Sequence, residues 1–435
     1  MEYLYAVPRF TSKNTMEDTK AYLQSLGNPD KNLKIIHVAG TNGKGSVCAY
    51  LRCILEEAGY KVAVFTSPHL VDVRERFIVA GEMISKEAFL EAFLQIYESL
   101  DWEKLAQGKG YHPTFFEYLF FMAMLIFPKE KPDYCILETG LGGRLDATNA
   151  VTKKALTVIT RIGLDHVEYL GNTLPEIAGE KAGIMRDGVP LAFTDADLEV
   201  TKVFTLKARE LDVPLYPVSK NDYAFLNFKN KNIDFSLHTR YYGYIRLTLH
   251  TLARYQMENA SLAVRAIEAL DEGCTIREEH IKAGVSRCFW QGRMEEIIPD
   301  VFVDGAHNED GIRAFLETVK VDGIEAAGGS RTLLFSVVED KDYRHMIEKL
   351  ATSKLFSKIA IAHMQTGRAA GLLRIKEQFE RNTIHDGGSR IDILQFDNVK
   401  EAFKTLVEEK EQEERLYIAG SLYLVGEIKE FLNND

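Results

Sequence analysis

Cysteine is scarce in this 435-residue chain: there are five, Cys48, Cys53, Cys135, Cys274 and Cys288, and no two stand in a C-x-x-C pair. That removes the usual signs of a disulfide scaffold, a zinc knuckle or a dithiol redox centre. Several of these thiols lie in apolar runs, where cysteine serves as a small hydrophobe, and such usage suits a reducing compartment. Positive charge is also in deficit, with 53 Lys and Arg against 64 Asp and Glu and a net charge of -11. An acidic surface repels phosphate backbones and anionic lipids, so neither nucleic acid nor membrane is expected as a partner. Long hydrophobic runs are missing as well. The greasiest stretch, TFFEYLFFMAMLIF at 114–127, carries Glu117 and runs into Pro128. It falls short of the roughly 18 apolar residues a membrane span needs, and reads as a buried helix. The opening MEYLYAVPRF has no basic region followed by an apolar one, so no secretory leader is expected and the location is read as cytoplasmic.

What is present is ordinary in bulk and informative in order. Apolar residues make up 46% and charged residues 27%, as in globular proteins generally, and the length predicts two domains. β-branched runs at 33–39, 61–66, 133–139, 155–160 and 189–193 alternate with helical patterns, which predicts a parallel sheet wrapped by helices. From 222 to 250 aromatic and polar residues alternate around NKN, the texture of an appended antiparallel hairpin region. A second alternating series begins near 300, after a break at QGRMEEIIPD. The fold class expected is α/β. A parallel-sheet, phosphate-loop ATPase domain over 1–293 carries a small antiparallel β subregion, and a smaller Rossmann-like α/β domain follows over 298–435.

Between the first strand and its helix lies HVAGTNGKGS (37–46). The common phosphate loop is G-x-x-x-x-G-K-[ST]; here Gly40 stands only three residues before Gly43, and Gly45 separates Lys44 from Ser46. A strand, a glycine turn and a helix start together aim backbone N–H groups at an anion. On its own the stretch also admits the reading of an ordinary strand-to-helix turn. Three more strand ends bear polar residues: Ser67 and His69 in TSPHL, Glu138 ahead of GLGGRLDATN, and Asp165 and His166 in GLDHVEYLG. In an open parallel sheet the carboxyl ends of strands face the ligand, so these should meet the loop.

Taken together, HVAGTNGKGS, FTSPHL, LETGLGGRLDATN, GLDHVEYLG, EKAGI, QGRMEEI, VDGAHN and AGSLYLV resemble the folylpolyglutamate synthase and dihydrofolate synthase family of the Mur ligase superfamily. The resemblance covers nearly the whole chain. It implies ATP-dependent ligation of L-glutamate to a folate carboxylate, and to dihydropteroate as well, through an acyl phosphate with release of ADP and phosphate. A monofunctional folylpolyglutamate synthase and a cell-wall Mur-type amino-acid ligase are the alternatives. Implied for ATP are Gly40, Thr41, Asn42, Gly43, Lys44, Gly45, Ser46, Asn259, Arg293 and Asp304. Ser67, Glu138 and His166 are implied as ligands at two Mg²⁺ sites, with a monovalent cation such as K⁺ in addition. Lys44, Lys181 and His307 are implied in catalysis, Lys181 as a carbamate. Thr114, Phe115, Phe116, Glu117, Arg144 and Asp146 are implied at the pterin. Without the resemblance, Lys181 reads as a solvated helix residue and the two phenylalanines as core. A monomer working on small molecules is expected.

Overall fold

A computed structural model describes residues 2–8, 14–271, 273–324, 328–384 and 392–434. It divides into two compact units. The first comprises residues up to 227 with 234–249 and 257–288; the second comprises 228–233, 250–256 and 289–435.

The first unit is built on an eight-stranded sheet. Its strands are β1 (Ile35–Ala39), β2 (Val62–Phe65), β3 (Phe77–Val79), β4 (Glu82–Met83), β5 (Tyr134–Glu138), β6 (Leu156–Ile159), β7 (Leu191–Thr194) and β8 (Leu215–Val218). They lie in the order β4-β3-β2-β5-β1-β6-β7-β8. From β2 through to β8 every pairing is parallel, and only β3 and β4 join antiparallel at one edge. The chain leaves β1 across β5 to reach β2, and later leaves β6 on the other side for β7 and β8. The sheet therefore reverses its winding around β1, β5 and β6, which is where an α/β sheet opens a crevice. β1 is buried throughout, consistent with its unbroken apolar run apart from His37.

The apolar stretch forms the helix Phe115–Glu130, whose residues from Glu117 to Phe127 are all buried. It forms the heart of a core cluster with Ile35, Phe65, Phe77 and Leu137. Among the described residues no helix is long and apolar enough to cross a membrane. The helix after the loop, Lys44–Glu57, begins at the loop lysine itself. Gly43, at φ 92°, turns the chain so that its own carbonyl already accepts from Val47 N. That left-handed start needs glycine.

Residues 223–249 hold three strands, β9 (Tyr223–Lys229), β10 (Asn232–Thr239) and β11 (Gly243–Leu249), in one sheet where each neighbours the next. The second unit carries β12 (Glu295–Ile298), β13 (Val301–Val303), β14 (Ser330–Phe335), β15 (Lys358–Ala362), β16 (Asp392–Phe396) and β17 (Glu414–Ala419). They form a six-stranded sheet in the order β12-β13-β17-β14-β15-β16. It is parallel except for β12 against β13. Its core packs Phe302, Phe315, Phe335 and Tyr417. The architecture is the α/β arrangement expected, a large parallel sheet followed by a second, mixed one.

Candidate active site

The turn after β1 is shaped by contacts that leave no room for a side chain. At Gly40 (φ 147°) a Cβ would stand 1.8 Å from Thr160 Oγ1, and at Gly43 one would stand 2.3 Å from Asn259 Oδ1. Thr41 N and Asn42 N donate to Arg161 O at 3.0 and 3.3 Å, and Thr41 Oγ1 donates to Gly163 O at 3.1 Å. The loop is thus pinned to the segment after β6. An α-helix leaves its first-turn N–H groups without intrahelical partners, so the start at Lys44, Gly45 and Ser46 offers donors and a positive dipole end to an anion. Gly43→Ala is expected to raise KM for ATP about tenfold or more, since the methyl group must displace the Asn259 amide. Nucleotide titration of a variant with unchanged melting temperature checks this; unchanged affinity would separate Asn259 from the nucleotide.

Two lysines converge on one carbonyl. Lys44 Nζ donates to Gly40 O at 3.1 Å and to Thr41 O at 3.2 Å, while Lys181 Nζ donates to Gly40 O at 2.8 Å. Lys181 is only 3% exposed. Burial first, then the neighbouring Lys44 charge, pulls its amine down to about 7, against opposing pulls from Asp165 and Asp146. A large share of Lys181 is therefore a neutral amine near pH 7. The structure overturns the reading of Lys181 as a solvated helix residue. Its helix, Leu174–Ala182, does start with the expected capping box, Thr173 with Glu176.

On the other side of β1, register sets Phe65 beside Leu137, so β2 and β5 end together. Ser67 N donates to Glu138 Oε2 at 3.0 Å, and Glu138 is 3% exposed. His166 follows β6 at φ 50°, its backbone N bound to Asp165 Oδ1 at 2.9 Å and its Nε2 3.9 Å from the same oxygen. Among the described residues no three His, Cys, Asp or Glu side chains cluster as a metal cage. Magnesium needs none: it keeps waters and is held by one or two carboxylates plus phosphate oxygens. A buried carboxylate and a hydroxyl beside a phosphate loop fit that pattern; an imidazole is the softer and less typical member.

Residues 38–267 match the Mur ligase middle domain family. Over 433 residues the chain is 35% identical to the dihydrofolate synthase/folylpolyglutamate synthase of Bacillus subtilis, covering 98% of this chain and 96% of that one. This chain belongs to that branch of the Mur ligases. It is an ATP-dependent ligase. A probable dihydrofolate synthetase of Schizosaccharomyces pombe is 30% identical, with 95% and 97% covered. Among solved structures, E. coli FolC in complex with DHPP and ADP aligns at TM-score 0.83 and 28% identity over 100% of this chain and 96% of that one.

The glycine loop of the ligase, 140–146, is held from within. Asp146, 6% exposed, accepts from Gly140 N and Leu141 N through Oδ2 and from Thr148 N and Oγ1 through Oδ1. Burial raises its carboxyl despite these bonds. The Thr148 hydroxyl, having given its proton to Asp146, accepts from His37 Nε2 at 2.8 Å. Arg144 pairs with Glu180, next to Lys181, at 2.8 Å. Among the residues implied for the pterin, Thr114 caps the helix Phe115–Glu130 and Glu117 completes the capping box. Glu117 also accepts from Asn14 Nδ2 at 2.8 Å and Thr19 Oγ1 at 3.1 Å. The two phenylalanines separate. Phe116 packs its ring against Gly140, where a Cβ would come within 2.7 Å. Phe115 stacks with Tyr5 at 5.9 Å and lies under the Arg76 guanidinium at 5.6 Å.

In the second unit Asp304 is 3% exposed and accepts from Tyr255 OH at 2.6 Å, Met294 N at 2.9 Å and Ala306 N at 2.8 Å. Burial raises its carboxyl, with Arg293 opposing. Arg293 lies against Gly305, and His307 Nδ1 bonds Gly305 O at 2.7 Å, which makes Nδ1 the protonated nitrogen. The structure thus brings Gly40 to Ser46 together with Lys181 and Asn259, joins Ser67 to Glu138, and joins Arg293, Asp304 and His307. His166 follows β6, on the opposite side of β1 from β5 and the Ser67–Glu138 pair. Sequence reasoning missed Tyr255, Thr160, Arg161 and Lys154; each makes its contact through the fold, with no local pattern to announce it.

Proposed function

We propose that this ligase joins the amine of L-glutamate to the carboxylate of a folate, and to that of dihydropteroate. The observation that carries the reading is the convergence of Lys44 and Lys181 on the Gly40 carbonyl, at a helix start beside the Ser67–Glu138 pair. The substrate carboxylate takes the γ-phosphoryl group of ATP and ADP leaves. The glutamate amine then attacks the acyl phosphate carbonyl, loses a proton, and phosphate departs. No protein nucleophile is needed, so this chain supplies position and charge. Lys44 and the amides at the helix start neutralise the transferring phosphoryl. Ser67 and Glu138, with His166, would hold Mg²⁺, which supplies charge neutralisation at the phosphates. K⁺ is the monovalent cation proposed. Lys181, neutral near pH 7, is in the form that adds CO₂ to give a carbamate. Arg293, Asp304, His307 and Asn259 hold the nucleotide. Phe115, beside Tyr5 and Arg76, offers a flat face to the pterin; Arg144 and Asp146 shape the loop beside it. The enzyme acts as a cytoplasmic monomer.

Phosphate release should require ATP, L-glutamate and either tetrahydrofolate or dihydropteroate together. Turnover with tetrahydrofolate alone would reduce the reading to a monofunctional synthase. Turnover only with a nucleotide-linked sugar would overturn it.

A further inference from the structure

The reaction above leaves several buried ionisable groups unused, Lys154 among them. Lys154 is 8% exposed, and burial pulls its ammonium well below the usual lysine range. A lysine buried at that cost needs its donors satisfied. Its Nζ donates to Asn149 Oδ1 and to Ile184 O, both at 2.7 Å. Neutral or charged, the amine supplies both bonds. Asn149 in turn donates through Nδ2 to Arg144 O at 3.0 Å and to Gly183 O at 3.1 Å. Arg186 adds bonds to Asn149 Oδ1 at 2.7 Å and to Gly183 O at 3.1 Å. Arg144 N takes Glu180 O at 2.8 Å.

Of these acceptors, Glu180 O lies in the last turn of the helix Leu174–Ala182, where it also accepts from Gly183 N at 3.3 Å, and Gly183 O and Ile184 O lie just past the helix end. Lys181 stands in that last turn. The approach is too close to tolerate slack: a Cβ on Gly143 would lie 2.9 Å from both Glu180 O and Lys181 O, and one on Gly183 would lie 2.5 Å from Arg144 Cα. Where the helix end sits decides where the Lys181 amine sits, and that amine is 2.8 Å from Gly40 O of the phosphate loop.

We propose that Lys154, acting through Asn149, is a positioning residue that fixes the helix end bearing Lys181 and so holds the Lys181 amine at the phosphate loop. The inference rests on the catalytic reading of Lys181 given above. Lys154→Met keeps the length of the side chain and removes the donors. It should lower kcat about tenfold or more, with KM for ATP and folate changed less than about threefold. Acetylation of Lys181 by acetic anhydride, followed by mass spectrometry against the other lysines, should speed up about tenfold as the amine leaves its buried place. A generally loosened protein would label many lysines faster, so selective labelling of Lys181 is the expected result. Asn149→Ser, read in the same two assays, should reproduce both changes and serves if Lys154→Met does not fold. Normal kcat in a folded variant, or unchanged Lys181 labelling, would overturn the proposal. Lys181→Ala is the separate control: if it keeps full activity, the catalytic reading of Lys181 fails, while the labelling rates still decide whether Lys154 positions it.

Discussion

Lys44→Ala is expected to lower kcat for ligation by about 10²- to 10³-fold, the cost of removing one preorganised charge from a developing anionic centre. Among the described residues Lys44 bonds backbone carbonyls, Gly40 O and Thr41 O. Bonds from a charged donor are worth about 1.5 to 3 kcal/mol each at most, and in a protein this size each kcal/mol moves the melting temperature by no more than about 2 to 4 degrees. Activity and stability should therefore part company. Lys44→Arg is a sharper version of the same test. A guanidinium keeps the charge but presents a planar fork where Lys44 offers a compact point charge on a flexible stem, so it should recover only part of the loss. Single-turnover measurement of acyl phosphate formation checks the step. A Lys44→Ala enzyme that forms the acyl phosphate at the normal rate would remove the loop lysine from the mechanism.

How far such a residue is readable in advance depends on where its partners lie. The phosphate loop declares itself because strand, glycines and lysine are contiguous, and Gly40 and Gly43 occupy backbone conformations that only glycine adopts easily. The parallel sheet is equally readable, since buried strands such as β1 and β5 are continuous apolar runs. Short strands are harder: β16 and the edge pair β3 and β4 owe their form to neighbours that the local pattern does not contain.

Within the site the same division holds. Glu117 is a capping-box residue by its place three after Thr114, yet its bonds to Asn14 and Thr19 join positions about a hundred residues apart. Asp304 is tied to Tyr255 across 49 positions. Lys154, in VTKKAL, looks like a solvated charge beside another lysine. Its burial follows from the meeting of the glycine loop with the Lys181 helix, a tertiary fact. Lys181 is the instructive middle case: the local pattern places it on a helix, and only packing shows that the helix face it occupies is closed to water.

That closure sets the second large effect. The Lys181 amine sits at about 7 in the folded protein, against about 10.4 for an unfolded lysine. Below pH 7 both states hold the proton, and the folded state carries a buried charge in full. Between about pH 7 and 10.4 the unfolded chain binds the extra proton, so folding stability rises with pH by up to about 1.4 kcal/mol per unit from this group. The destabilisation is thus greatest at and below pH 7 and fades towards pH 10. Lys181→Met should remove it. The variant should be more stable than the parent by a few kcal/mol at pH 7, with the difference shrinking by pH 9.5, as read by urea unfolding at the two values. At the same time ligation should fall by about 10²-fold or more. If a carbamate on Lys181 does the work, a small added carboxylate such as formate should restore part of the activity of Lys181→Ala, where the truncated side chain leaves space. A stability difference that does not change with pH would mean that Lys181 keeps its proton in the folded state. In that case the amine could not add CO₂, and the lysine would act as a second fixed cation beside Lys44.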